Sequence, residues 1–145
     1  MIRTSSANTS ISTPITQRVS LVLLLTRISV FIALLVWVAD KFVQPEHTAA
    51  VFQAFYGIGG IGAGIAYLLG AIQLVIIVGF VLGYQKKITY GLVLLMHLAS
   101  TLVSFPKYLA PFADANILFY ASWPMLAACF TLYYLRDLDN RASLQ

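Results

Sequence analysis

The sequence predicts an all-α polytopic membrane protein, a four-transmembrane-helix bundle with a short amphipathic surface helix after the first span. Three observations carry that expectation. The 145 residues are 60% hydrophobic and only 10% charged, whereas a soluble domain carries about 25% charged residues. With a mean hydropathy of +0.86, this deficit puts the chain in the membrane class. Four apolar runs, about 19–40, 61–84, 88–105 and 116–135, each have roughly the length a helix needs to cross a hydrocarbon core about 30 Å thick. The breaks between them collect charge, proline and glycine: Asp40-Lys41 with Pro45, then Lys86-Lys87, then Pro106-Lys107 with Pro111 and Asp114. The expected organisation is a polar N-terminal tail at 1–18, a transmembrane domain at 19–136 and a polar C-terminal tail at 137–145.

The first run contains the residue around which the rest is organised. Arg27 stands among apolar neighbours, at a cost of about 2.5–3.5 kcal/mol on insertion scales if it reaches the bilayer centre. A charge at that depth needs a partner or a function. The run exceeds the roughly 7–15 apolar residues of a signal peptide, so it is expected to be a retained span. It closes on Trp37, Asp40 and Lys41. An interfacial tryptophan and a snorkelling lysine account for two of these. The alternative is that Asp40, Lys41 and His47 rim an entrance from the outer face.

Beyond Lys41, Pro45 and Glu46 suit the first turn of a helix. Val51, Phe52, Phe55 and Tyr56 share one face of it, and Gly57 ends it. In the second run Gly62, Ala66 and Gly70 recur every four residues and lead to Gln73. Small residues at that spacing let helix backbones approach closely. In the third run Tyr90, His97, Ser100, Thr101 and Ser104 form one polar stripe, expected to face the bundle interior. In the fourth, Pro124 cannot donate to the carbonyl of Tyr120, which predicts a kink or an open turn. The charged segment Arg136 to Arg141 is expected to be solvated.

Counting 1.5 Å per residue from the span ends sets Arg27, Gln73 and His97 at one depth. Two readings follow. In one they form a polar site, with Arg27 supplying charge, His97 a titratable proton and Gln73 orientation. In the other they are interhelical hydrogen bonds of about 0.6–2 kcal/mol each that lock the bundle. Arg3, Arg18, Lys86, Lys87, Arg136 and Arg141 fall on one side and Lys41 and Lys107 on the other. The positive-inside rule therefore expects both termini in the cytoplasm, for a bacterium at the inner membrane.

Absent residue types exclude several classes. No acid falls within a span core, which argues against a proton-coupled four-helix antiporter. The histidines, His47 and His97, lie at different depths, which argues against a haem held by two axial ligands. Cys129 is the sole cysteine, so no internal disulfide or redox pair can form, and it is expected to be a packing residue. No metal set, nucleophile triad or phosphate loop is visible. The net charge of +4 is dispersed, with no basic surface for nucleic acid.

Arg27, the sequence Trp37…Asp40-Lys41-Phe42…Pro45, and Phe55-Tyr56-Gly57-Ile58 leading into a glycine-rich span resemble the DoxX-like family of small four-helix membrane proteins over roughly residues 20–135. The resemblance implies an integral membrane protein. It further implies a membrane subunit of a quinone-linked or sulfur-compound oxidising assembly, without catalytic activity of its own. The family pattern has a glutamate where this chain reads Gly70-Ala-Ile-Gln73-Leu74. A neutral Gln73 cannot neutralise Arg27, which leaves an anionic ligand or lipid headgroup to do so. The candidate ligand-binding residues are Arg27, Gln73, His97, Trp37, Asp40 and Lys41. The expected ligand is a quinone-type or lipid molecule between helices. The expected partners are the lipid bilayer and membrane proteins or further copies of the chain. The second expectation is a carrier or channel for a small anion, with Arg27 in its path.

Overall fold

The computed structural model describes residues 9–144, and the described residues form helices and turns without a strand. Helix α1 runs Thr9–Val43, so it starts well before the expected span at 19. Extending a formed helix costs far less than starting one, and the helix continues through Pro14. Of the expected polar tail, residues 1–8 lie outside the described residues. On α1 the buried positions are Ser20, Leu23, Arg27, Val30, Leu34 and Val38, a single stripe at helical spacing. The opposite face exposes Leu21, Val22, Ile28, Ile32 and Val36, so the helix is apolar all round, as a membrane span is.

Helix α2, Pro45–Val51, begins with its proline in the first turn and Glu46 beside it. It continues into a π-helical turn, Phe52–Tyr56, which Gly57 closes in the left-handed conformation. The buried residue here is Thr48, while Tyr56 of the expected apolar face is exposed. Helix α3, Ala63–Val81, buries Ala66, Gly70, Ile77 and Phe80. At Gly70 an added Cβ would lie 2.8 Å from the Phe42 ring and 3.2 Å from Lys41 Cβ, so the small residue sets the approach of α3 to α1. Helix α4, Lys86–Val103, buries Thr89, Tyr90, Val93 and Thr101. Ser104 is buried too, while Ser100 faces outward with its hydroxyl donated to the carbonyl of Met96. A serine whose hydroxyl bonds within its own helix can face an apolar medium.

A short helix α5, Phe105–Tyr108, follows. The last run is a 3₁₀ helix, Asn116–Ala121, and then α6, Ser122–Tyr134. The break expected at Pro124 is thus a change of helix type two residues earlier, and Pro124 sits in the first turn of α6, where a missing N–H matters least. A 3₁₀ turn, Arg136–Leu138, begins the return segment.

Helices α1, α3, α4 and α6 form a closed ring. α1 packs on α3 and α6, and α4 packs on the same two. Leu23, Val30, Leu34, Val38, Ile77, Phe80, Tyr90, Val93, Cys129 and Leu132 fill its interior, so Cys129 is the packing residue its setting predicts. Three stretches are long and apolar enough to cross a membrane: Pro14–Val43, Ala63–Val81 and Asn116–Tyr134. α4, which opens on two lysines and carries the polar stripe, falls short of that apolarity.

Candidate functional site

The sealed charge of the bundle lies where α3 turns into α4. Gly83 makes that turn with a φ of +64°, and its missing Cβ leaves room for the guanidinium: an added Cβ would stand 2.7 Å from Arg27 Nη1. Arg27 and Asp139 are both 0% exposed and form an ion pair of 3.1 Å between Nη1 and Oδ2. The same Nη1 donates to the Tyr90 hydroxyl at 3.0 Å, and that hydroxyl donates to Asp139 Oδ2 at 2.7 Å. Arg27 Nη2 donates to the carbonyls of Arg141 at 2.7 Å and Ala142 at 2.9 Å. Lys86 Nζ donates to the Asp139 carbonyl at 2.6 Å, and the Leu144 amide donates to the Leu82 carbonyl at 2.8 Å. Arg27 Nε and Asp139 Oδ1 are buried without a partner.

This arrangement corrects two expectations. The segment after the fourth run is only partly solvated: Asp137, Asn140 and Arg141 are exposed, but Asp139 is buried. It folds back over the α3–α4 turn, and its aspartate enters the bundle. Nor is Arg27 left without a counter-charge in this structure, since Asp139 pairs with it. The physical reason is that a buried unpaired charge is far costlier than ordering a few polar residues.

The sequence-derived layer of Arg27, Gln73 and His97 does not come together. Tyr90 marks the depth of Arg27 on α4, and His97 is two turns further, about 10 Å along the axis. His97 Nε2 lies 3.1 Å from the Ser122 carbonyl on α6. A carbonyl only accepts, so this nitrogen carries the proton. Gln73 falls on the inward stripe of α3 between Gly70 and Ile77, half-buried, about 15 Å along the helix from Gly83. It is not among the groups that bond Arg27.

The remaining candidates lie at the other end of α1. Asp40 Oδ2 accepts from His47 Nδ1 at 2.8 Å, and Lys41 Nζ donates to the Trp37 carbonyl at 3.1 Å. Trp37 itself is on the outer face. The Asp40–His47 pair ties α1 to α2, and the Lys41 bond stays within α1. Asp40 and His47 are 22% and 46% exposed, and an exposed pair contributes about 0–1 kcal/mol. Asp40→Asn is therefore expected to shift unfolding by less than about 1 kcal/mol, as read by thermal melting in detergent. A loss several times larger would show that the pair organises the junction of α1 and α2.

Thus the structure makes a site of Arg27 with Tyr90, Lys86, Gly83 and Asp139, of which only Arg27 was a sequence candidate. Tyr90 was visible on the polar stripe. Asp139 was visible as one of the few acids, but its place after the last span pointed to water. Among the described residues no three His, Cys, Asp or Glu side chains gather as a metal site would need. A separate groove opens between α1 and α6, about 390 Å³, lined by Val22, Leu25, Thr26, Ser29, Ala33 and Met125 among others. No family model, no curated protein and no solved structure matches the chain.

Proposed function

We propose that the protein is a four-span membrane subunit without catalytic activity that holds a lipid-like or quinone-type molecule in the groove between α1 and α6. The carrying observation is the groove itself. It is largely apolar, opens sideways, and offers the hydroxyls of Thr26 and Ser29 on one wall. An isoprenoid or acyl chain fits such a surface, since ligand sites are mostly apolar with a few polar groups. Thr26 already donates to the Val22 carbonyl, so its oxygen remains free to accept.

The fourth span is α4, with 18 residues and a length of about 27 Å. It is bracketed by two helices that qualify on their own, and its buried polar groups turn inward. The return segment brings Arg136 and Arg141 to the end that holds Lys86 and Lys87, and the positive-inside rule then places that end in the cytoplasm. The resemblance to DoxX-like proteins supports a place in a redox-linked membrane assembly. An anion pathway through Arg27 draws no support from this conformation, because the guanidinium is fully buried and paired.

Native mass spectrometry of the protein taken gently from its own membrane tests the reading. The expected result is one bound lipid-like or quinone-type mass per chain, lost in Ala33→Trp, where an indole fills the groove. An equal bound mass in both proteins, or none in either, counts against the groove as the site.

A further inference from the structure

We infer that the return segment, residues 136–144, is a displaceable latch over an oxyanion site built from Arg27, Tyr90 and Lys86, and that the ligand is of the phosphate class. The inference does not rest on the α1–α6 groove, which lies on a different face of α1.

The site is built for more acceptor atoms than Asp139 supplies. A guanidinium presents five N–H groups in a rigid fork, and its strongest partners take two parallel bonds. Asp139 gives only one oxygen, Oδ2, to Nη1, and that same oxygen also serves Tyr90. Its other oxygen, Oδ1, and Arg27 Nε are both buried without partners. With the segment lifted, a tetrahedral oxyanion at the carboxylate's position would accept from Nη1 and Nη2, the end-on fork of the guanidinium, and from the Tyr90 hydroxyl. Lys86, now donating to the Asp139 backbone, would be released to bond it as well. The carboxylate engages Nη1 through one oxygen and leaves its second oxygen unpaired, where an oxyanion would use two or more.

The latch is fixed mainly through Arg27 and Lys86. Beyond the Arg27 contacts and Lys86, residues 143 and 144 add a bond of 3.5 Å from the Ser143 hydroxyl to the Gly83 carbonyl and the Leu144 amide bond. Ala142 is held at a φ of +45°, which a residue with a Cβ rarely adopts. Asn140, Arg141, Ala142 and Leu144 are exposed, so the segment is one layer thick. The ring of α1, α3, α4 and α6 is closed by contacts among those helices themselves. Beside it a cavity of about 320 Å³ is lined by Gln85, Lys86, Arg136, Asp137 and Asn140, among others. Its two cations give an anion an approach, and Asp137 is the one carboxylate on the path.

Without the latch, Arg27 would keep only the Tyr90 hydroxyl among its present partners. A bare buried guanidinium is strongly disfavoured, so opening and anion binding are coupled. An apparent affinity is reduced by the fraction of molecules that are open, so weakening the latch should tighten binding.

The test uses the full chain. Inorganic phosphate is titrated calorimetrically in detergent against wild type, Asp139→Asn and Asp139→Asn/Arg27→Gln. The asparagine variant is expected to bind about tenfold or more tightly than wild type, with the gain lost in the double variant. A folded Asp139→Asn with no gain, or a gain that survives Arg27→Gln, overturns the inference. If the asparagine variant does not fold, spin labels at Tyr84→Cys and Leu144→Cys on a Cys129→Ser background decide. The distance between them should lengthen with inorganic phosphate, or in nanodiscs containing phosphatidic acid but not in phosphatidylcholine alone. A response to inorganic phosphate identifies a free anion, and a response to phosphatidic acid only identifies a lipid headgroup. An unchanged distance under both overturns the inference.

Discussion

Asp139→Ala is expected to destabilise the protein by about 3–5 kcal/mol, the usual cost of removing one partner from a buried ion pair. The substitution strands the Arg27 guanidinium, which is 0% exposed, and removes the oxygen that accepts from Tyr90. The loss is electrostatic, so it should not be mimicked by loss of volume. Arg27→Met alone strands the carboxylate and should also cost several kcal/mol. The double variant Arg27→Met/Asp139→Leu should recover most of either loss, because apolar residues of similar volume often replace a buried pair at little cost. Thermal or denaturant unfolding in a single detergent, read as a double-mutant cycle, measures the coupling. A loss under about 1 kcal/mol for Asp139→Ala would mean that the segment does not seal Arg27 in solution.

The second large effect is expected at Gly83. Its φ of +64° lies in the left-handed region, where a Cβ costs about 1–2 kcal/mol. The added Cβ would also stand 2.7 Å from Arg27 Nη1 and 2.9 Å from Ser143 Oγ. The guanidinium is pinned by four acceptor contacts and cannot swing away cheaply. Gly83→Ala should therefore cost about 3 kcal/mol or more, strain and overpacking together. It should also loosen the return segment, seen as faster amide exchange at Leu144. Gly62→Ala is the control. Its backbone is extended and nothing lies within 4 Å of an added Cβ, so it should be nearly neutral. Equal effects at the two glycines would mean that the close packing at Gly83 carries no weight.

The bundle was legible in the sequence because its signals are local. Apolar runs of helical length, the small residues leading to Gly70, the start at Pro45 and the stop at Gly57 each act within a few turns. Arg27 was legible as a misfit for the same reason. Its partner was not. Asp139 is 112 positions away, in a segment whose composition reads as solvated, and no periodic pattern links it to α1. The depth estimate failed for a related cause. It was measured from Val19, whereas α1 starts at Thr9 and the end of the ring is set by the Gly83 turn. That turn lies level with Arg27, so Arg27 sits at the end of the ring, away from Gln73 and His97, and the N-terminal turns of α1 extend beyond it. Asp40, Lys41 and His47 do cluster at the C-terminal end of α1, but through local bonds, of which only Asp40–His47 reaches α2. Sequence spacing reports which residues share a face. It does not report where along a bundle a returning segment will close.

The closure between Arg27 and Asp139 also fixes an order of events during synthesis. Arg27 leaves the ribosome first, and its counter-charge follows 112 residues later. At about 5–20 residues per second that gap lasts roughly 6–20 s. Throughout it the first helix carries a cation without this counter-charge. The nascent protein thus presents an exposed positive charge until its late residues arrive, and then withdraws it. Emergence of Asp139, rather than of any apolar helix, is the step that removes this charge.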